Sequence, residues 1–226
     1  MSLPFRPSAT LPSRKRTAFL TREEIVTAAA LVLERDGYDA LNMRSLAAEL
    51  RVQAAALYRH VESRAELDDL LFDRLMADCA PRVRGAKWQD DLVSVANAWR
   101  QRLVSRRDAT RIALSQITIG PNIAPLMEFA LETLQRSGLD DIGIVDAFQA
   151  LFAFVHGFAS DEAGRRAHAP NPAARNAPMP AEWTEIYPTL SRLEPVLSGP
   201  PDDEAYFTFG LEALIAGIQR RLARRK

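Results

Sequence analysis

Several features common in other protein classes are missing from this chain of 226 residues. A single cysteine, Cys79, excludes a disulfide within the chain and is typical of a cytoplasmic protein. The longest strictly apolar runs, 28–33 and 150–155, are far shorter than the roughly 20 residues that cross a bilayer. The first 16 residues contain no apolar segment like that of a secretory signal. We therefore expect a cytoplasmic protein without a membrane span.

Net charge is also absent, because 29 Lys and Arg balance 29 Asp and Glu. The charges are nevertheless unevenly distributed: residues 1–64 carry ten basic and seven acidic side chains, and residues 1–22 carry five basic ones and no acidic one. A basic front on an acidic body suits a protein that presents one end to a polyanion. A solvated arm without a partner would have the same composition, so both interpretations remain open for residues 1–18.

Strand signals are scarce, whereas helix signals recur throughout. Thr21 and Glu24 form a capping box, and apolar residues then keep helical spacing as far as Gly37. Asn42 can cap a second helix, and Ser63 with Glu66 forms another capping box. The helices predicted in this part of the chain cover residues 21–36, 42–50, 53–60 and 63–79. A three-helix unit therefore precedes a longer connecting helix.

The remainder of the chain predicts a larger helical body. Its helices are expected at about 88–105, 108–116, 122–137, 140–160, 183–197 and 203–225. Residues 165–181 contain four prolines and no helical period, which predicts a surface loop. The predicted fold class is all-α.

The most informative segment runs from Met43 to Glu66. A short helix, a tight turn centred on Val52 and a second short helix are the parts of a helix-turn-helix. The expected outward positions of the second helix are Gln53, Ala54, Ala55, Tyr58 and Arg59. The small alanine side chains allow this helix to enter the major groove of DNA. Gln can pair with adenine, and Arg can pair with guanine or phosphate. A helical hairpin that only packs within a bundle is the alternative from spacing alone.

The segment 21–67 resembles the DNA-binding domain of the tetracycline repressor family. The resemblance depends on these motifs: Gly37-Tyr38, Ala40-Leu41, Leu46-Ala47, Val52, Leu57-Tyr58-Arg59-His60-Val61, Ser63-Arg64 and Glu66-Leu67. Ala55 stands where many members have Gly or Pro, and Gln53 stands where Ser is common. These differences face the expected groove, so they affect the operator sequence rather than the fold.

The same resemblance implies which residues contact double-stranded operator DNA. They are Arg44, Gln53, Ala54, Ala55, Tyr58, Arg59, His60 and Arg64. Among them, Tyr58, His60 and Arg64 resemble the phosphate anchors of the family. The resemblance thus divides the chain into a flexible basic arm (1–18), a helix-turn-helix domain (19–65) and a helical domain for effector binding and dimerisation (66–226).

The C-terminal body is similar, more weakly, to that of the tetracycline repressor, at residues 88–90, 103–108 and 207–218. The resemblance implies a homodimer whose C-terminal domains bind a small-molecule inducer. The histidines that hold magnesium–tetracycline correspond to Ala80 and Ala113 in this sequence. We therefore expect an effector other than magnesium–tetracycline.

Effector contacts are predicted among apolar and polar side chains of the body. The candidates are Asn97, Trp99, Gln116, Met127, Phe129, Phe152, His156 and Phe158. Each of them also suits a simple core position, and both interpretations remain open. Asp161, Glu162 and His168 are metal-ligand types without the spacing of a known motif, so we predict no metal and no cofactor.

Two wide apolar stripes predict a four-helix dimer interface, one at 144–155 and the other at 207–218. The residues assigned to this interface are Phe148, Phe152, Val155, Leu211, Leu214, Ile215 and Ile218. The same stripes could instead belong to the core of one subunit.

The function predicted from these features is a ligand-responsive transcriptional repressor that binds a palindromic operator as a homodimer. An all-α enzyme with an ordinary N-terminal subdomain is one alternative, although no nucleophile with its base, phosphate loop or metal cluster is recognisable. A DNA binder without an effector is the other. Such a binder would not need about 160 residues of aromatic-rich helical body, although dimerisation could use part of them.

Overall fold

The computed structural model describes residues 20–81, 83–113, 118–167, 180 and 182–224. Within these ranges the chain forms eleven helices and no strand, so the predicted all-α class is confirmed. The helices are α1 Arg22–Asp36, α2 Met43–Leu50, α3 Ala54–Leu57, α4 Arg64–Leu75, α5 Trp88–Ser105, α6 Ala109–Ala113, α7 Ala124–Arg136, α8 Asp141–Ala167, α9 Trp183–Ile186, α10 Pro188–Leu197 and α11 Asp203–Ala223. The basic arm, Gln116 and His168 lie outside the described residues.

The N-terminal helices begin and end where local chemistry predicts. The Thr21 hydroxyl accepts from the Glu24 amide at 3.2 Å, and the Glu24 carboxylate accepts from the Thr21 amide at 3.1 Å. Helix α1 ends at Gly37, whose φ of 89° is accessible to glycine at little cost. Asn42 caps α2 by accepting from two amides at 3.0 Å. Such caps explain why the predicted starts are accurate to within one residue.

Two elements of this region are shorter than predicted. Regular helix in the third element is confined to Ala54–Leu57, and residues 58–60 form a turn. Helix α4 ends at Leu75, because its last backbone bonds tighten around Met76 and the chain reaches positive φ at Asp78. The predicted spans of 53–60 and 63–79 therefore include turn residues at their ends.

Helix α8 lies at the centre of the body and packs against α5, α6, α7 and α11. Among the described helices it alone is long and apolar enough to cross a membrane, with a mean hydropathy of 1.6 over the critical window. Core helices of globular proteins meet the same criterion, and α8 contributes Phe148, Leu151 and Val155 to the core. It also runs seven residues past the predicted end at 160, because Glu162 and Arg165 form ion pairs there.

The segment predicted as one helix over 183–197 is two helices. Tyr187 separates α9 from α10 and takes an extended φ of −126°, since the residue before Pro188 is disfavoured in helical conformation. Neither helix contains a buried residue.

One hydrophobic core runs from the N-terminal helices into the body. It includes Leu33 of α1, Leu57 of α3, Leu71 of α4 and Trp99 of α5, each fully buried. The same core thus continues across the proposed domain boundary at residue 65. A displacement of α4 would therefore move both the N-terminal helices and the body helices that pack against it.

Candidate DNA-binding and effector sites

The expected DNA-contact residues lie on α3 and on the segments before and after it. Leu57 is fully buried and fixes the helix against the core, while Tyr58 keeps 51% of its surface exposed. The exposed members of the predicted set are Arg44, Gln53, Ala55, Tyr58 and Arg59, and the partly buried ones are Ala54, His60 and Arg64. This surface combines hydrogen-bonding and cationic side chains on short, rigid elements.

The turn between α2 and α3 sets how this surface is presented. Arg51 adopts left-handed φ at 56°, and its amide donates to the Ala48 carbonyl at 3.1 Å. The Val52 amide then donates to the Ala47 carbonyl at 3.0 Å, which closes the end of α2. Ala47 is buried, so the turn predicted around Val52 is present and held by the small side chain expected there.

Arg64 differs from the other predicted contacts because its side chain is engaged inside the protein. Its guanidinium donates to the Leu41 carbonyl and to the Asp68 carboxylate, the latter at 2.8 Å, and lies 4.6 Å from the Tyr38 ring centroid. The Tyr38 hydroxyl donates to the other Asp68 oxygen at 2.8 Å. This geometry gives Arg64 a positioning role between the helix-turn-helix and α4, and a phosphate contact by its partly exposed side chain stays a prediction.

Three buried aspartates on α4 were not singled out by the sequence analysis. Asp68 faces the helix-turn-helix, whereas Asp69 and Asp73 face the segment that follows α6. Asp73 accepts from the Asn122 amide at 2.9 Å, the Asn122 side chain at 2.8 Å and the Ile123 amide at 3.0 Å. Helix α4 therefore has polar attachments to both parts of the molecule. The sequence does contain a signal for these attachments, namely aspartates placed among the leucines of α4. Carboxylates in such positions are seldom buried without hydrogen-bond partners.

The backbone at Gly120 passes close to the Asp73 side chain. A Cβ added at Gly120 would lie 2.2 Å from the Asp73 carboxyl carbon, so a larger residue would displace one of the two.

An aromatic cluster in the body contains three of the predicted effector contacts. Phe152 stacks on His156 with ring centroids 4.0 Å apart, and Trp99 meets His156 edge-on at 5.1 Å. Phe148 flanks Trp99 at 6.2 Å, and Phe72 of α4 lies 6.3 Å from His156. Trp99 is fully buried and His156 is 5% exposed. We call these five residues the aromatic cluster.

Four of the other predicted effector contacts lie outside this cluster among the described residues, and Gln116 is not among those residues. Phe158 packs with Phe207 in a separate group, centroids 5.1 Å apart. Phe129 lies under the Arg84 guanidinium, and the Asn97 amide donates to the Val93 carbonyl of its own helix. Met127 is partly buried on α7. Spacing along single helices could not separate these groups, because the separation arises from packing between helices.

Burial lowers the pKa of His156 to about 4, so the imidazole is neutral near pH 7. The unfolded chain takes up a proton at about pH 6.5 and the folded chain does not, so this residue favours folding fully above pH 6.5 and progressively less towards pH 4. Between pH 7.5 and 5.0 we expect it to remove about 2 kcal/mol from the free energy of unfolding. Urea unfolding at the two pH values measures this loss, and the variant His156→Phe should lose that much less. Equal losses in both proteins would contradict the assignment.

The predicted interface residues also separate by burial. Phe148, Val155 and Leu211 are buried within the single subunit, as the alternative core interpretation expects, and their contact with a partner stays a prediction. Phe152, Leu214, Ile215 and Ile218 are only partly buried, and a partner contact for them remains a prediction. Large apolar side chains outside the predicted set are more exposed. They are Ile142 and Val145 on α8, and Tyr206 and Phe209 on α11, with exposed fractions from 50% to 75%.

Two of the possible metal ligands, Asp161 and Glu162, lie in the described part of the chain. Asp161 is exposed, whereas Glu162 is buried and accepts from Arg100 at 2.7 Å and from Arg166 at 2.5 Å. The Glu162 carboxylate thus forms ion pairs with both Arg100 and Arg166.

Comparison with known proteins agrees with this architecture. Residues 25–68 match the family model described as "Bacterial regulatory proteins, tetR family", and residues 80–222 match the model described as "Tetracyclin repressor-like, C-terminal domain". The two matches cover the helix-turn-helix and most of the helical body.

Individual relatives match over nearly the whole chain. An HTH-type transcriptional regulator of Saccharopolyspora erythraea is 32% identical over 95% of this chain and 89% of its own length. The HTH-type transcriptional repressor DrrR1 of Streptomyces coeruleorubidus is 28% identical over 95% and 83%. The crystal structure of apo ActR from Streptomyces coelicolor has a TM-score of 0.77 at 30% identity, covering 93% of this chain and all of ActR, and ActR has also been solved in complex with actinorhodin. The chain belongs to the tetR family of bacterial transcriptional regulators.

Proposed function

We propose that this regulator is a repressor that binds a palindromic operator as a homodimer and is released by a small molecule other than magnesium–tetracycline. The observation that carries the proposal is the rigid attachment of α4 to both units, with Asp68 on the helix-turn-helix side and Asp73 on the side of the body. A ligand in the body that shifts α4 would therefore also shift the DNA-contact surface, which is held to α4 through Asp68. A bacterial regulator meets its operator in the cytoplasm, so the proposal includes a cytoplasmic location.

The DNA-contact surface supports direct reading of base edges. Gln53 and Arg44 are exposed beside α3, and Gln and Arg are the side chains that pair bidentately with adenine and guanine. Tyr58, Arg59 and His60 follow on the turn after α3, where neutral and cationic donors can contact phosphates. Phosphate contacts give affinity and register, while base contacts give sequence choice.

The exposed apolar side chains of α8 and α11 support a symmetric dimer. Ile142 and Val145 are one helical turn apart, as are Tyr206 and Phe209, so each pair lies on one side of its helix. Two such helices from each subunit would form a four-helix interface, in which these side chains and the partly buried Leu214, Ile215 and Ile218 lose contact with water.

Effector binding is supported by the aromatic cluster and by the family. ActR, which matches this chain over most of its length, binds actinorhodin. The absence of histidine at Ala80 and Ala113 favours an effector other than magnesium–tetracycline. Adding that complex to the protein bound to its operator should leave the DNA bound, and release at micromolar concentrations would contradict this part of the proposal.

The two alternative functions are an all-α enzyme and a DNA binder without an effector. The matched family models and relatives are transcriptional regulators, so this chain is not an enzyme. A DNA binder without an effector would keep the same affinity for its operator in the presence of any ligand that binds the body. Reciprocity requires that a true effector and the operator weaken each other's binding by the same factor.

A pair of substitutions tests the DNA-contact surface, with the operator obtained by selection from random duplex DNA. Arg44→Ala should cost roughly 1–3 kcal/mol of binding free energy and relax the preference at one base position. Tyr58→Ala should weaken binding to all duplexes alike, because a phosphate contact carries little base information. Fluorescence anisotropy against the operator and single-base variants measures both. Uniform weakening by Arg44→Ala would exclude its role in base reading.

A further inference from the structure

A cleft of about 670 Å³ lies where the helix-turn-helix unit meets the body. Its walls are the turn between α1 and α2 at 36–39, the end of α5 with the turn into α6 at 104–111, and the end of α8 at 160–167. The volume falls within the range of small-molecule sites in proteins. The described residues that line it include no member of the aromatic cluster, so the cleft is separate from the predicted effector site.

The three carboxylates among the described lining residues are already engaged. Asp36 accepts from the guanidinium that precedes it in α1 at 2.8 Å, and Asp39 accepts from both terminal nitrogens of Arg111 at 2.7 and 3.0 Å. Asp108 accepts from a backbone amide of the α1–α2 turn at 2.8 Å. A cationic ligand would therefore have to compete with donors that the protein itself supplies.

Three arginines of the cleft, by contrast, keep donors without an acceptor in the described part of the chain. Arg106 has only an ion pair at 4.0 Å with the Glu34 carboxylate. Arg107 uses one terminal nitrogen, which donates to the Glu34 carbonyl at 3.1 Å, and its other terminal nitrogen is unpaired. Arg166 donates to Glu162 through one terminal nitrogen at 2.5 Å and keeps the other. The unused capacity of the cleft is thus cationic and hydrogen-bond donating.

The Thr110 side chain adds a buried hydroxyl to the same cleft. The residue is only 8% exposed and lines the cleft, yet its hydroxyl makes no hydrogen bond within the described ranges. Helical threonine can donate to the carbonyl four residues earlier, as Thr133 does to Phe129 at 2.7 Å. Buried hydroxyls are seldom left unpaired, because they lose their hydration. An anionic oxygen held by the arginines would supply the missing acceptor.

We propose that this cleft binds a small multivalent anion that carries phosphate or carboxylate groups. Arg106 and Arg107 on the α5–α6 turn and Arg166 on α8 would pair with its oxygens, and Thr110 would donate one further hydrogen bond. Guanidinium groups suit this chemistry, because their fixed donors can pair with two oxygens of one oxyanion. A single negative charge would satisfy only one wall of the cleft. This site goes beyond the repressor function proposed above and does not depend on it.

Citrate and pyrophosphate are the probes, since one presents carboxylates and the other presents phosphates on a small frame. Acetate, which has a single charge, is the comparison ligand. Isothermal titration calorimetry of the intact protein without DNA, at constant ionic strength, measures the affinities. We expect at least one probe to bind at least tenfold more tightly than acetate, because it forms more charge-assisted hydrogen bonds. The stronger probe identifies the oxyanion that the site prefers.

Variants locate the binding to the cleft. Arg106→Gln combined with Arg166→Gln removes a cation from each of two walls, so the affinity for the stronger probe should fall at least tenfold. Thr110→Val keeps the shape of the side chain and removes the hydroxyl, so this affinity should fall roughly fivefold. The free energy of unfolding should not decrease in Thr110→Val, because the ligand-free protein loses no hydrogen bond. Arg192→Gln, exposed on α10, is the matched control and should leave the affinity unchanged.

The proposal is overturned if both probes bind no more tightly than acetate, or if the double variant binds them as the wild type does. An equal loss of affinity in Arg192→Gln would indicate general attraction to surface arginines and would overturn it as well. An equal loss in Arg59→Gln would place the anion on the DNA-contact surface, with the same consequence. Thermal unfolding checks that the double variant is folded, and if it is not, Thr110→Val alone decides: wild-type affinity in that variant contradicts the site.

Discussion

Replacing Arg64 with alanine will weaken operator binding and destabilise the fold together. The substitution removes the donors to the Leu41 carbonyl and to Asp68, and it leaves the buried Asp68 carboxylate with Tyr38. Breaking a buried pair costs about 3–5 kcal/mol, and partial exposure of Arg64 reduces the expected loss to about 2–3 kcal/mol of unfolding free energy. Urea unfolding measures this loss, and anisotropy with the operator measures the loss of DNA affinity.

Arg59→Ala is the matched control, because Arg59 is exposed on the DNA-contact surface. It should reduce operator affinity while changing the free energy of unfolding by no more than about 0.5 kcal/mol. If Arg64→Ala instead resembles Arg59→Ala in leaving stability intact, Arg64 is a surface contact and its positioning role is wrong.

Replacing Asp73 with alanine will detach α4 from the segment that follows α6. Two backbone amides, those of Asn122 and Ile123, lose their acceptor in a part-buried or buried position. Leaving a buried donor unpaired costs about 1–3 kcal/mol. The Asn122 amide is only part-buried, so we expect a total of about 2–4 kcal/mol of destabilisation, measured by urea unfolding. Operator affinity should fall as well, because α4 is no longer held at a fixed position on the body.

The control for this variant is Asp161→Ala, which removes an exposed carboxylate from α8. Its stability should remain within about 0.5 kcal/mol of the wild type. A loss of stability in Asp73→Ala no greater than in this control would exclude the attachment as a stabilising element.

The parts of the fold predicted most closely from sequence are those set by local chemistry. Thr21, Asn42 and Ser63 each cap a helix through bonds to residues at most three positions away, so a short pattern contains all the necessary information. Tyr187 is an exception: the helix break before Pro188 is equally local, yet the apolar spacing of 183–197 predicts one continuous helix. The end of α8 depended on ion pairs to residues far along the chain.

In the candidate sites, too, local features could be predicted from the sequence, whereas features that depend on packing between helices could not. The exposed side of α3 followed from spacing, since Leu57 is the apolar position that must face the core. The engagement of Arg64 by Leu41 and Asp68 depends on how α4 crosses the helix-turn-helix, and helical periodicity does not contain that angle. The grouping of Trp99 with His156, but not with Phe158, likewise arises from the packing of α5 against α8.

Selection of bound sequences from random duplex DNA by the intact protein tests the central claim most directly. The account predicts enrichment of a palindrome whose half-sites lie about one helical turn apart or slightly more, bound by two subunits with an affinity that falls as salt is raised. Failure to enrich any sequence, or binding that does not depend on salt, would contradict it.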